Sequence, residues 1–300
     1  MMLQTKVCGI EFKNPIIAAS GPAGNGQELI KHFDISSLGG FTSKTVTLNP
    51  TDGNPPPRIV DVHGVIINSI GLQNKGLNNF LEVDAEFLKS IDTNIICSLA
   101  SNYSDEIAQM TEIVDKYFFP ILELNFSCPN VDKGKEPIGD NPLKLYEAVC
   151  SCRKKTEKPI FVKFGPVSNM EDMVKASVDA GADGVTLINC AKGVKIDINT
   201  EKPILKRVSG GLAGPAIKPI AVYHVYNIRK NYPDLPIIGT GGIMNGEDVL
   251  EFIMAGANLV GVGFGMMVEP DITDKIKKEM EEILKRKNKS IDQIRSIAQL

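Results

Sequence analysis

The 300-residue chain has no tryptophan, only three histidines and six cysteines. Those cysteines (Cys8, Cys97, Cys128, Cys150, Cys152 and Cys190) are scattered, without the paired spacing of a zinc or iron–sulfur site. Cys150 and Cys152 fall in a helical pattern, too close together to form such a site alone. No bound metal is expected, and a reduced, cytoplasmic setting is. No apolar run approaches the ~18 residues of a membrane span. Met1 to Lys6 shows no charged head leading into an apolar stretch, so neither a signal peptide nor a membrane association is expected. There is no excess of basic charge: 33 Lys and Arg stand against 36 Asp and Glu, a formal net charge of −3. That balance argues against nucleic acid or an anionic membrane as the main partner. No Gly-x-Gly-x-x-Gly follows a strand pattern, which disfavours an open dinucleotide-binding sheet. No linker of flexible composition divides the chain, so residues 1–300 are read as one domain. With 43% hydrophobic and 23% charged residues, that domain is an ordinary globular one with a sizeable core.

What is present is a regular alternation. Short β-favouring apolar runs occur at 16–19, 41–45, 94–99, 121–125, 160–164, 184–188, 236–240 and 259–263. Runs such as Val185-Thr186-Leu187-Ile188 suit strands buried on both faces, as in a parallel sheet. Helical patterns lie between them. Ser104-Asp105-Glu106 opens one with a capping residue and an acidic first turn, and Ile107, Met110, Ile113 and Val114 follow at helical spacing. Patterns at 170–180 and 247–255 each run into Ala-Gly-Ala and then a strand, the glycine end of a helix feeding a short loop. Eight such beats predict an α/β fold, a (β/α)8 TIM barrel, which needs roughly 250 residues. The surplus goes to a lead-in at 7–12, a loop at 46–79, an insertion at 190–215 and a final helix near 290–298.

In a barrel, chemistry gathers where the strands end. The first two runs deliver Ser20-Gly21 and Lys44-Thr45 there. The loop that follows carries Asn68-Ser69-Ile70-Gly71-Leu72-Gln73-Asn74. The next runs deliver Ser98, Asn125-Phe126-Ser127-Cys128-Pro129-Asn130, Lys163 and Asn189-Cys190. The last two deliver Gly239-Thr240-Gly241-Gly242 and Gly261-Val262-Gly263-Phe264-Gly265. Residues 210–265 hold 11 of the 27 glycines, about double an even spread. Glycine turns after the seventh and eighth strands are the usual phosphate site of this architecture. Either lysine alone could be a snorkelling surface side chain. Two of them beside Asn68, Asn125 and Asn189 describe a pocket for a planar anion with several hydrogen-bonding edges. Cys128 alone reads as a small buried hydrophobe more readily than as a base. Action near neutrality needs a setting that favours thiolate, which Lys44 or Lys163 would supply. The three histidines read as structural or surface residues.

The segments 68–74, 125–130, Gly210-Gly211-Leu212-Ala213-Gly214-Pro215-Ala216-Ile217-Lys218-Pro219 and Gly239-Thr240-Gly241-Gly242-Ile243 together resemble the dihydroorotate dehydrogenase family, in order and over nearly the whole chain. Cys128 and the Gly-Leu-Gln-Asn form resemble the NAD-linked, class 1B catalytic subunit; the membrane-associated class has a serine there and an N-terminal extension. The resemblance implies FMN in the barrel mouth and oxidation of dihydroorotate to orotate in pyrimidine synthesis. It implies that Cys128 is the general base and that Lys163 stabilises charge on the reduced ring. Lys44, Asn68, Ser69, Ile70, Gly71, Leu72, Asn125, Asn189 and Cys190 would hold the substrate. Ser20, Lys44, Thr45, Ser98, Asn125, Lys163, Ile188, Gly214, Gly241, Gly242, Gly263 and Phe264 would hold FMN. Four positions depart from the family pattern: Ser98 for Asn, Phe164-Gly165-Pro166-Val167 for Leu-Ser-Pro-Asn, Cys190 for Ser or Thr, and Phe264 for a small hydroxyl residue. The chain has no iron–sulfur cysteine set and no dinucleotide fingerprint. The resemblance therefore implies a partner subunit carrying FAD and an iron–sulfur centre, in a heterotetramer built on a homodimer of this chain. The alternatives are another flavin barrel, acting on a related dihydropyrimidine or using fumarate, and a non-redox phosphate-binding barrel lyase or isomerase.

Overall fold

The computed structural model describes residues 2–127 and 137–300. Eight strands close into a barrel: β1 (Ile16–Ala18), β2 (Gly40–Thr42), β3 (Asn94–Leu99), β4 (Ile121–Asn125), β5 (Ile160–Phe164), β6 (Gly184–Leu187), β7 (Ile237–Thr240) and β8 (Leu259–Val262). Each pairs in parallel with its neighbours in chain order, and β8 pairs with β1 to close the ring. Helices at Ser104–Asp115, Pro142–Arg153, Met170–Asp179, Lys218–Asn231 and Gly246–Ala255 return the chain between strands. The expected (β/α)8 barrel is formed, with four strands ending one to three residues short of the apolar runs that announce them and the other four ending with theirs. Among the described residues no helix is long and apolar enough to cross a membrane.

The period-two alternation of each strand sorts its side chains between two cores. Outward residues such as Leu122, Leu124, Ile160 and Val162 join the large core under the helices. Inward residues Ile17, Ile96, Ile121, Phe161, Ile238 and Leu259 form a separate apolar floor. The lead-in supplies the plug: strands Thr5–Val7 and Ile10–Phe12 form an antiparallel hairpin, whose Val7 and Phe12 join that floor. Two residues further along the same strands the interior changes character, to Ala19, Ser98, Glu123, Lys163, Thr240 and Gly261. A dry floor thus lies beneath a polar layer, and the site stands on that layer.

Three segments differ from expectation. The loop at 46–79 and the insertion at 190–215 are not merely connections. Strands Ile59–Asp61, Ile66–Asn68, Ala191–Val194 and Ser209–Ala213 join in one antiparallel sheet, with Asn68 opposite Gly211. The final helix contains only Ile291–Ile294, with Ser290 and Gln293 closing a capping box and Arg295 extended behind it. The main C-terminal helix is Ile272–Lys287, whose Ile272, Ile276, Met280 and Leu284 are buried at four-residue spacing. It stops at Asn288, which takes the left-handed conformation at φ 51°.

Candidate active site

The polar layer is built around an ion pair that the strand-end reading did not include. Glu123 on β4 and Lys163 on β5 lie 3.5 Å apart, with side chains 2% and 5% exposed. The register explains the meeting: Glu123 stands beside Phe161, and Lys163 is the next inward residue along that strand. The Glu123 carboxylate also accepts from Ser98 Oγ at 2.8 Å and Thr186 Oγ1 at 3.1 Å. A carboxylate inside an otherwise apolar run, Ile121-Leu122-Glu123-Leu124, is itself a signal, because a charge with no water must find a partner.

Above this pair, Thr45 collects three side chains. Its hydroxyl lies 2.9 Å from Ser20 Oγ and 2.9 Å from Ser98 Oγ, and accepts from Asn125 Nδ2 at 3.1 Å. Asn125 Oδ1 accepts from Ser127 Oγ at 2.5 Å, and Ser127 Oγ accepts from Asn189 Nδ2 at 2.6 Å. Residues from the ends of β1, β2, β3, β4 and β6 therefore meet in one network. Cys190 has its Sγ 3.8 Å from Asn68 Nδ2, which donates to the Gly211 carbonyl at 3.0 Å. Burial pushes the Cys190 thiol up, against the pull of Asn68 and Lys163, so the thiol is retained. The antiparallel sheet thus carries Asn68 and Gly211 to the end of β6.

The 68–72 stretch is held from behind by Asn54, whose Nδ2 donates to the Ser69 carbonyl at 3.0 Å and to Ser69 Oγ at 2.8 Å. Gly71 has φ +75° and a Cβ there would stand 2.7 Å from the Asn54 backbone nitrogen, so only glycine fits. Gly71 and Leu72 share a cavity of about 250 Å³ with Asn125, Phe126 and Tyr103. Ile188 is buried and donates its N–H to the Thr240 carbonyl at 2.9 Å. The glycine turns sit side by side: a Cβ on Gly242 would approach the Gly214 carbonyl at 3.0 Å and the Lys218 backbone nitrogen at 2.8 Å. Phe264 opens the short helix Phe264–Val268 directly after Gly263. Cys128 lies outside the described residues.

The donor set fits a flavin mononucleotide. Lys44 is half-buried, and its ammonium has no hydrogen-bond acceptor or ion-pair partner among the described residues. Burial and the nearby Arg58 hold it below the usual lysine range, with Asp84 pulling the other way. One wall of the mouth is made of the small residues Ala19, Gly261 and Gly263, and a Cβ added at Gly263 would stand 3.5 Å from Ala19 and Pro22, in ordinary contact with both. A flat ring needs such a wall, and a phosphate needs backbone turns such as Gly241-Gly242. Among the described residues no group of His, Cys, Asp and Glu is placed to hold a metal ion.

The match to known proteins decides the family. The family model described as dihydroorotate dehydrogenase covers residues 2–284. The chain belongs to the dihydroorotate dehydrogenase family. It is 43% identical over 296 residues to the "Dihydroorotate dehydrogenase B (NAD(+)), catalytic subunit" of Caldicellulosiruptor bescii, covering 98% of both chains. To the protein of the same description from Petrotoga mobilis it is 42% identical over 300 residues, covering 99% of this chain and 100% of that one. A crystal structure of DHODH from Eimeria tenella with ferulenol shares the fold at a TM-score of 0.83 and 23% identity, over 99% of this chain and 88% of that chain. The family likeness thus runs through every strand that lines the mouth.

Proposed function

We propose that this chain is the catalytic subunit of an NAD-linked dihydroorotate dehydrogenase, which oxidises dihydroorotate to orotate in pyrimidine synthesis. The carrying observation is the full-length likeness to catalytic subunits of that description. The site supports it through chemistry: Lys44, whose ammonium has no ion-pair partner among the described residues, a buried Lys163 and the amides of Asn125 and Asn189 suit a ligand rich in carbonyl and carboxylate oxygen. FMN, when bound, supplies a two-electron hydride acceptor. Ser20, Lys44, Thr45, Ser98, Asn125, Lys163, Ile188, Gly214, Gly241, Gly242, Gly263 and Phe264 would hold it. Lys44, residues 68–72, Asn125, Asn189 and Cys190 would hold the substrate. Lys163 would offer positive charge to the negative charge that develops on reduction. Cys128, assigned as base on the motif at 125–130, takes a proton from the carbon beside the one that loses hydride. A partner subunit with FAD and an iron–sulfur centre would supply the onward path to NAD, in a heterotetramer with two copies of this chain, in the cytoplasm.

The test is the visible spectrum of the purified chain. A flavin spectrum that bleaches on adding dihydroorotate under anaerobic conditions, with no turnover on fumarate, is the expected result. A chain that neither carries flavin nor takes up added FMN would overturn the reading and favour a non-redox barrel. Gly242→Ala checks the phosphate turn. Gly242 has φ +76°, and the new Cβ meets a backbone nitrogen at 2.8 Å. Strain and displacement of the turn together cost roughly 1–3 kcal/mol. The variant should fold with a lowered melting temperature and purify with much less flavin, read from the ratio of 450 nm to 280 nm absorbance.

A further inference from the structure

Behind the 68–72 stretch lies the segment 47–54, and two asparagines join them. Asn54 Nδ2 donates to the Ser69 carbonyl at 3.0 Å, and its backbone N–H donates to the Ile70 carbonyl at 2.9 Å. Asn74 Nδ2 donates to the Leu72 carbonyl at 2.7 Å and to Thr47 Oγ1 at 2.8 Å. The orientation of the Asn74 amide follows from its other end, where Oδ1 accepts from the Gly76 N–H at 2.8 Å and the Thr47 N–H at 3.4 Å. Leu72 makes no other hydrogen bond among the described residues. It also needs a hold. Leu72 has φ 53°, next to Gly71 at φ 75°, and a leucine keeps the left-handed region only where its surroundings impose it. The carbonyl and the N–H of one trans peptide point opposite ways. Gripping the Ser69, Ile70 and Leu72 carbonyls against 47–54 therefore turns the Ile70, Gly71 and Gln73 N–H groups the other way. None of these three N–H groups has an acceptor among the described residues.

We propose that Asn74 is a positioning residue for the substrate: its amide holds the Leu72 carbonyl back, as Asn54 holds that of Ser69, and so keeps a row of backbone donors free for a ligand rich in oxygen. Asn74 itself stands outside the 68–72 stretch that would hold the substrate. Its side chain does this, not its main chain. Asn74 and Thr51 exchange backbone hydrogen bonds at 3.0 Å in both directions, so the chain stays docked whatever side chain stands at 74. The amide adds the one donor to Leu72. Without it the 72–73 peptide is free to turn, Leu72 relaxes out of the left-handed region, and the Gln73 N–H loses its direction. Aspartate at 74 would keep the shape and the bonds from the Gly76 and Thr47 N–H groups. It would set a carboxylate oxygen, which only accepts, against the Leu72 carbonyl.

This inference rests on the dihydroorotate reading above, and the experiment separates the two. Oxidised holoenzyme is titrated with orotate and followed by the flavin absorption. Asn74→Ala should weaken orotate binding roughly fivefold, the worth of one neutral hydrogen bond, and Asn74→Asp roughly tenfold or more. Thr47→Val removes the other acceptor of the same amide but leaves the Leu72 contact, and should bind orotate within about twofold of wild type. Flavin content should match wild type in each variant. In both Asn74 variants the dihydroorotate KM should rise while flavin reduction at saturation stays within about threefold, the split expected of lost uniform binding. An asparagine that only braces the loop gives the opposite order. Aspartate, which keeps the Gly76 and Thr47 N–H bonds, would then bind orotate better than alanine, and Thr47→Val would lose as much as Asn74→Ala. Either of those results, or orotate affinity within about twofold of wild type in Asn74→Asp, would overturn the proposal. If the Asn74 variants do not fold, Asn54→Asp, which takes the side-chain donor from the Ser69 carbonyl, is held to the same threshold. Wild-type holoenzyme that fails to bind orotate would instead overturn the functional reading, and the proposal with it.

Discussion

Lys163→Met should lower the stability of the chain by roughly 3–5 kcal/mol, the range for removing one partner of a buried ion pair. The reason is what remains. Glu123, 2% exposed, would keep its Ser98 and Thr186 hydrogen bonds but lose the one cation paired with it among the described residues. Nothing else among the described residues is placed to neutralise it, since the floor below is Ile96, Ile121 and Phe161. Methionine matches the lysine stem, so packing is kept and the loss reports the charge. Urea unfolding measures it. The double variant Lys163→Met with Glu123→Leu should recover most of the loss, because a well-packed apolar pair avoids the desolvation of both charges. The pair is therefore not there for stability. If the double variant is as unstable as the single one, the ion-pair account fails and a packing defect replaces it. Neither variant should support turnover, because the cation at the site is gone in both.

The barrel was legible because its strands are short, apolar and regularly spaced. Runs such as Asn94–Leu99 and Ile160–Phe164 coincide with the observed strands at both ends. The antiparallel sheet was not legible. Its strands are three to five residues long, and Ser209–Ala213 is small and glycine-rich, so no local pattern announces pairing with a segment more than 140 positions away. The Ile272–Lys287 helix does carry a signal, four buried residues each four apart, within a strongly charged stretch. The final helix near 290–298 was over-read because Arg295 and Ser296, with φ 60° at the serine, turn the chain out of helix after one turn. At the site, strand ends pointed to Lys44, Asn125, Lys163 and Asn189; the last three are joined through one network of side chains, and Lys44 adjoins Thr45 of that network in sequence. Glu123 escaped because attention to strand ends passes over the layer beneath, whereas Ser127 stood within the 125–130 segment with no role of its own. That layer is visible in the alternation itself: Ile96 then Ser98, Ile121 then Glu123, Phe161 then Lys163, each an apolar floor residue followed two positions later by a polar one.

Cys128→Ala should abolish dihydroorotate turnover near neutral pH by roughly 10²–10⁴-fold, the usual contribution of a general base. Flavin content and orotate binding should survive, because the lysines and the Asn125–Thr45 network do not depend on that thiol. The informative comparison is Cys128→Ser. A free thiol loses its proton near ~8.5 and an alcohol only far above that, so serine can take a proton from carbon only where another group or higher pH helps it. The serine variant should keep a small part of the activity, with the rising limb of its pH profile moved to higher pH relative to wild type. A general loss of activity with an unmoved profile would point to damage at the site and away from proton removal at residue 128. Unchanged turnover in Cys128→Ala would remove the residue as base altogether. The proton would then have to leave through another group at the same mouth, and the retained thiol of Cys190, raised by burial and 3.8 Å from Asn68, is poorly suited to take it.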